Sequence, residues 1–291
     1  MKITFIGTGS AFTLRNWNTS MVINHEGKNL LIDAGGDVRH ALHEVGMSAK
    51  DIDAVYVTHQ HGDHAGGLEW LAFMSYFSAD KRKPKLIAEA SLIGNLWTST
   101  LSGGLKCIDG KDMGLQDYFE VERVWKSYFE WNGIKFDIKE FTHIRGEKNA
   151  VPSFSVVVRI PVIGKNVFIT GDMKFDANNM LYDTCDLIIH DCETGPFQSG
   201  VHAHYDQLRM LPPDVKAKML LVHYQDNVLE RELFGCENPA PFLPSTEWVA
   251  KAKADGFTQM DMGIGPESYG FVPKSMTIDL FNWFEWPEKG E

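Results

Sequence analysis

Thr58-His59-Gln60-His61-Gly62-Asp63-His64 puts four metal-ligand side chains into six residues and runs straight into Ala65-Gly66-Gly67. The residues before it, Ala54–Thr58, are apolar and β-favouring, so the motif sits on the loop that leaves a strand's C-terminal end. His59 and His61, two residues apart, can reach one ion from that turn, while Asp63 and His64 turn to a neighbouring ion. Imidazole and carboxylate suit zinc, manganese, iron or nickel, and no thiolate in the motif selects among them. A His-rich surface loop is the bland alternative, disfavoured by the density of ligands and by the preceding strand.

One such motif leaves a metal pair short of ligands, and three further candidates stand downstream. His143 follows the apolar run Lys135–Phe141, Asp172 follows Asn166–Thr170 in Thr170-Gly171-Asp172, and His223 closes Met219–His223. Each is one polar group at the end of an apolar strand, where a shared cleft would collect them. Upstream, Lys2–Ile6, Ser20–Asn24 and Asn29–Asp33 also read as strands, and Val38–Val45 as an amphipathic helix. Leu68–Phe77 is too continuously apolar for a surface helix and should be largely buried. Phe154–Ile160 and Leu187–His190 complete a second set of strands. Strands interleaved with helices in two similar halves predict two sheets face to face with helices outside, an αββα four-layer sandwich of the α/β class.

The 291 residues fit one such domain, 1–291, with an insertion around 102–132 and a C-terminal helix and aromatic tail from about 245. That tail, Phe281, Trp283, Phe284 and Trp286, is expected to pack on the core; a dimer interface or a base-stacking lid is the alternative, and a homodimer stays open. The four cysteines, Cys107, Cys185, Cys192 and Cys236, form no paired framework. The apolar start is too short for a signal peptide and no run spans a membrane, so a cytoplasmic protein without a membrane partner is expected. The net charge of -11 argues against a large nucleic-acid footprint. Two divalent ions would nevertheless draw a small anion to the site.

Taken in order, His59/His61/Asp63/His64, His143, Asp172 and His223 resemble the metallo-β-lactamase superfamily, and Leu31-Ile32-Asp33-Ala34-Gly35 matches its early strand. The resemblance covers nearly the whole chain and implies two divalent ions, zinc first, with manganese, iron and nickel as alternatives. It implies that His59, His61 and His143 bind one ion, that Asp63, His64 and His223 bind the other, and that Asp172 bridges them. Asp33 and Thr58 would support these ligands.

His190-Asp191-Cys192-Glu193 and Gly200-Val201-His202-Ala203-His204-Tyr205 are similar to two motifs of the ribonuclease Z-like phosphodiesterase branch, with Asp191 in place of Glu and Ala203-His204 in place of Ser-Thr. Ile144–Val158 resembles that branch too. Carried over by position, His202 is the general acid and Asp191 its orienting partner, so the candidate catalytic residues are Asp63, His202 and Asp191. His204 is expected to be a solvent-facing loop residue, and His40 and His43 a solvated helix face. The implied reaction is attack of a hydroxide held between the metals on phosphorus, with His202 protonating the departing alkoxide.

Ribonuclease Z proper usually carries a long basic arm between its third histidine and the bridging aspartate. Here His143 and Asp172 are 29 residues apart, and the gap holds two strands. A small phosphodiester substrate therefore fits better than pre-tRNA, and the chain looks like the cyclic-nucleotide phosphodiesterases of this branch, including those that phages use against cyclic-nucleotide immune signalling. The alternatives are a lactone, thioester or sulfate-ester hydrolase on the same metal pair, a tRNA 3′ endonuclease, and a non-catalytic nucleotide- or metal-binding protein.

Overall fold

A computed structural model describes residues 1–231, 242–260 and 268–285. Seven strands form a first sheet in the order Met276–Asp279, Lys2–Gly7, Ser20–His25, Lys28–Ile32, Ala54–Tyr56, Lys85–Glu89 and Glu120–Val124. Six form a second, in the order Met219–Val222, Leu187–Asp191, Lys165–Ile169, Ala150–Ile160, Ile134–Arg145 and Tyr128–Trp131.

The two-residue period of a strand explains how the second sheet is covered on both faces. Val156 and Val158, Val167 and Ile169, Leu187 and Ile189, and Leu220 and Val222 enter the core shared with the first sheet. The alternate residues Val157, Phe168, Ile188, Met219 and Leu221 face a second cluster with Tyr205, Leu208, Val215 and Phe257. Helices Tyr205–Leu208, Pro213–Lys216 and Thr246–Ala254 carry that outer layer. Across the molecule Val38–Glu44 and Leu68–Tyr76 cover the first sheet with Val38, Ala41, Leu42, Leu68, Leu71 and Ala72. The layers run helix, sheet, sheet, helix, the αββα order the strand pattern predicts. Each Val, Leu or Ile fully buried in this way stabilises the fold by about 1.5–3 kcal/mol.

Leu68–Tyr76 is less enclosed than its apolar sequence suggests, because Met74 and the following Phe77 are 42% and 63% exposed. Of the stretch 102–132, expected as an insertion, Cys107–Ile108 and Lys111–Asp112 pair only with each other, whereas Glu120–Val124 pairs parallel to Lys85–Glu89 in the first sheet and Tyr128–Trp131 pairs with Ile134–Asp137 in the second. At the C-terminus, helix Thr246–Ala254 lies where one is expected, and Trp283 and Phe284 pack on the first core. Trp286 and Cys236 lie outside the described residues. No helix among the described residues is long and apolar enough to cross a membrane.

The consequence for function is where the strands stop. Lys28–Ile32 and Ala54–Tyr56 run parallel in one sheet, and Lys165–Ile169, Leu187–Asp191 and Met219–Val222 in the other. Ligand-type residues follow or close each of them, in the place where open α/β sheets collect their ligands.

Candidate metal centre

Three local devices aim side chains into the space between the sheet ends. The first is a close approach of two loops. Ala34 N–H donates to His64 O, Gly36 N–H to Gly62 O and Gly67 N–H to Ala34 O. A Cβ on Gly67 would lie 2.4 Å from the Gly35 carbonyl, so the glycines after the histidine motif are there for contact. The second is a β-bulge. Thr142 pairs with Pro152 and Ile144 with Val151, leaving His143 as the extra residue, and such a bulge re-aims its side chain. The third is Gly171, at φ +56, where an added Cβ would meet Ser153 Oγ at 3.0 Å and Thr58 at 3.1 Å. Only glycine takes that turn without strain, and the turn delivers Asp172. Asp33 and His223 also hold positive φ, at 61° and 64°, in keeping with strain stored at functional sites.

Asp172 is the centre of the arrangement. Its Oδ2 lies 3.6 Å from His59 Nε2 and 3.5 Å from His143 Nε2, and its Oδ1 lies 3.1 Å from His64 Nε2 and 3.6 Å from His223 Nε2. His61 Nδ1 faces His59 Nε2 at 3.0 Å, and Asp63 Oδ2 stands 3.3 Å from His64 Nε2 and 3.2 Å from His223 Nε2. The ligand atoms of His59, His61, His143 and Asp172 lie within 4.8 Å of one another, as do those of Asp63, His64, Asp172 and His223. Asp172 belongs to both groups, one oxygen toward each.

Three of the rings are anchored on their far side. His59 Nδ1 meets Thr58 Oγ1 at 3.1 Å, and that hydroxyl donates to Asp33 Oδ2 at 2.8 Å. His143 Nδ1 donates to the Val201 carbonyl at 3.0 Å, and His64 Nδ1 to Asp33 Oδ2 at 2.7 Å. These bonds put a proton on Nδ1 and turn Nε2 inward, the atom a metal would take. The chemistry of the donor set fits divalent cations. His64 Nε2 and Asp172 Oδ1 are buried and face each other without the alignment of a hydrogen bond. Such unpaired polar atoms are costly unless a cation lies between them.

Charge divides the two groups. Burial would raise the Asp63 and Asp172 carboxyls, yet the imidazoles of His64 and His223 outweigh it and hold both well below the carboxylate range. Burial would lower His64 and His223, and the carboxylates outweigh it, with Asp172 foremost, lifting both well above the usual histidine value. In the other group burial prevails, so His59, His61 and His143 are all pushed down.

His202 stands beside this cluster, its side chain 17% exposed. Its Nδ1 lies 2.8 Å from Asp191 Oδ2 and 3.8 Å from Asp172 Oδ2. Burial would lower its pKa, but Asp191 outweighs burial and raises it. Asp191, 1% exposed, also accepts from Met173 N–H, and its Oδ1 lies 3.4 Å from His223 Nδ1. One carboxylate therefore touches both the candidate acid and a candidate ligand, a link the spacing of the motifs does not reveal. Asp172, Asp191, His202 and His223 form a third group of the same compactness.

His204 is not the solvent-facing residue its loop suggests: it is 7% exposed. Its Nδ1 accepts from Asp206 N–H at 3.2 Å, capping helix Tyr205–Leu208, and its Nε2 donates to the Gly195 carbonyl at 3.0 Å. The two bonds tie both ends of the His202 loop. His40 and His43 are exposed on their helix, and His40 stacks on Trp17 at 5.6 Å. The carbonyl of Val201 and the bulge at His143 have no signal of their own in the sequence, since the first is a main-chain group of a loop and the second arises from strand register.

The family model of the anti-Pycsar protein Apyc1 matches residues 1–248. An anti-Pycsar protein Apyc1 of Bacillus phage vB_BsuM-Goe3 is 35% identical over 243 residues, covering 79% of this chain and 91% of that protein. One of Saccharibacillus brassicae is 35% identical over 234 residues, covering 78% and 91%. Among solved structures, a metallo-β-lactamase fold protein from Bacillus subtilis superposes with a TM-score of 0.66 at 14% identity, over 95% of this chain and 98% of that one. The fold is the metallo-β-lactamase fold.

Proposed function

The chain belongs to the family of the anti-Pycsar protein Apyc1, and from that premise we propose that it acts by hydrolysing small phosphodiesters, 3′,5′-cyclic nucleotides foremost, on two divalent metal ions. His59, His61 and His143 hold one ion in this reading, Asp63, His64 and His223 the other, and Asp172 both. When bound, the ions supply Lewis-acid charge to the phosphate and make water a nucleophile near neutral pH.

The protein's own residues do the rest. Asp33 and Thr58 fix the His59 and His64 rings, and Asp191 keeps the His202 proton on Nδ1 and its ring in place. An imidazole whose pKa is raised keeps its second proton closer to neutral pH, so Nε2–H can protonate the alkoxide that departs from phosphorus. The observation that carries the reading is His202 beside the two ligand groups, held by a buried carboxylate. A hydrolase with a good leaving group has little use for such an acid, whereas a cyclic nucleotide releases an alkoxide. The charge of -11 and the short interval from His143 to Asp172 support a small substrate over pre-tRNA.

A substrate panel tests the proposal: 3′,5′-cyclic nucleotides, bis(p-nitrophenyl) phosphate, a lactone, a thioester, an aryl sulfate and pre-tRNA, each with zinc, manganese and nickel supplied separately. Turnover of the phosphodiesters is expected to exceed that of the other esters. Preferential turnover of the lactone, thioester or sulfate, or site-specific cleavage of pre-tRNA, would overturn it.

A further inference from the structure

Two buried polar side chains lie behind Asp191, outside both ligand groups. Tyr182, on the short helix Leu181–Thr184, is 2% exposed, and His190, at the end of strand Leu187–Asp191, is 0% exposed. Tyr182 Oη is 2.7 Å from His190 Nε2, and His190 Nδ1 is 2.6 Å from the main-chain carbonyl oxygen of Asp191. A carbonyl can only accept, so Nδ1 carries the ring proton, Nε2 accepts, and the phenol donates. Burial keeps both groups neutral, pushing the imidazole down and the phenol up.

The direction of these bonds matters because of what lies at their end. Asp191 N–H donates to Thr170 Oγ1 at 2.9 Å, and the Asp191 carbonyl receives the His190 proton. Main-chain groups on both sides of the Asp191 Cα are therefore tied, and its side chain can leave the backbone in only a narrow range of directions. Within that range Oδ2 meets His202 Nδ1 at 2.8 Å. An imidazole has two neutral tautomers of similar energy, and in a buried site the hydrogen bonds choose between them. The Tyr182 hydroxyl and the Asp191 carbonyl select the same form, and without the Tyr182 proton the Nε2–H form is opposed by the carbonyl alone. In that form Nδ1 presents a lone pair to the carbonyl oxygen, and the contact turns from attraction to repulsion.

We propose that Tyr182 and His190 are positioning residues for the general acid: the Tyr182 hydroxyl, together with the Asp191 carbonyl, holds His190 as the Nδ1–H tautomer, and His190 holds the Asp191 peptide so that its carboxylate meets His202. The inference rests on the phosphodiesterase reading for its kinetic consequence but not for its structural one. His190 falls inside a motif quoted from the sequence, yet nothing in the spacing of that motif gives it a role, and Tyr182 lies eight residues upstream of it.

Tyr182→Phe deletes the hydroxyl and keeps the ring. In the zinc-loaded protein, imidazole 1H–15N spectra should show His190 as the Nδ1–H tautomer. In Tyr182→Phe they should show a tautomer mixture, with the His202 ring resonances moved as well. Metal content and KM should stay unchanged. The kcat for a cyclic nucleotide should fall about 3–10-fold, a fraction of what general acid catalysis contributes, while p-nitrophenyl diester turnover is retained. His190→Asn, which keeps a donor near the carbonyl, should retain more of the cyclic-nucleotide rate than His190→Ala. These two variants carry the same readouts if Tyr182→Phe does not fold. Unchanged His202 resonances in a folded Tyr182→Phe or His190→Ala protein would overturn the proposal, as would equal losses on both leaving groups. If the unsubstituted protein hydrolyses neither diester, the phosphodiesterase reading fails, and the spectra alone decide the positioning role.

Discussion

Asp172 sends its two carboxylate oxygens to different imidazole groups, Oδ2 toward His59 and His143 and Oδ1 toward His64 and His223. Asp172→Ala should therefore empty both sites, from about two ions per chain to near none, whereas His61→Ala should weaken one site more than the other. Elemental analysis after metal loading checks this; an Asp172→Ala protein that still binds both ions contradicts it. His202 makes the opposite prediction. His202→Ala should keep its metal and lose roughly 10²–10⁴-fold in kcat on a cyclic nucleotide, with a smaller loss on a p-nitrophenyl diester. Loss of metal from that variant would move His202 into the ligand set, as its membership of the third compact group allows. The residues that the fold gathers into the candidate centre stand out in the sequence as one dense motif, His59 to His64, and as three single polar groups after apolar runs, His143, Asp172 and His223. The burial of His204 does not stand out in the same way, because it comes with a helix cap on Asp206 N–H and a bond to the carbonyl of Gly195, nine residues back along a loop.

At the scale of elements, periodicity made most strands readable, and the observed bounds differ from the expected ones mainly at the ends. The edge strands of 102–132 escaped because Glu120–Val124 is half polar and Tyr128–Trp131 is only four residues long, so neither shows a core-strand pattern. The turn at Gly171 carries a prediction of its own. Gly171→Ala forces a side chain into left-handed backbone against Ser153 and Thr58, at a cost of about 1–2 kcal/mol before any repacking. Because the turn delivers Asp172, the variant should lose metal affinity along with thermal stability. A change in melting temperature with metal affinity untouched would show that Asp172 is placed by other means.

Across the whole molecule, the two ligand groups differ in how they hold protons. His64 and His223 are raised by the carboxylates around them, while His59, His61 and His143 are lowered by burial. A metal must displace any proton on its ligand, and a raised pKa means the proton competes up to higher pH. As pH falls from about 8 toward 6, the Asp63–His64–His223 site should release its ion first, leaving the His59–His61–His143 site loaded. Imidazole spectra of cobalt-loaded protein can identify the emptied site, and release in the reverse order contradicts the charge assignment. At this scale the αββα order, the acidic charge and the small-substrate expectation all came from sequence, while the contact of Asp191 with both His202 and His223 required the two sheets to be assembled. The most direct test of a two-metal phosphodiesterase is phosphorus NMR of a 3′,5′-cyclic nucleotide incubated with the metal-loaded protein and with Asp172→Ala. The account predicts conversion of the cyclic diester to a nucleoside monophosphate by the first and none by the second; an unchanged diester with the fully metal-loaded protein, or equal conversion by both, would contradict it.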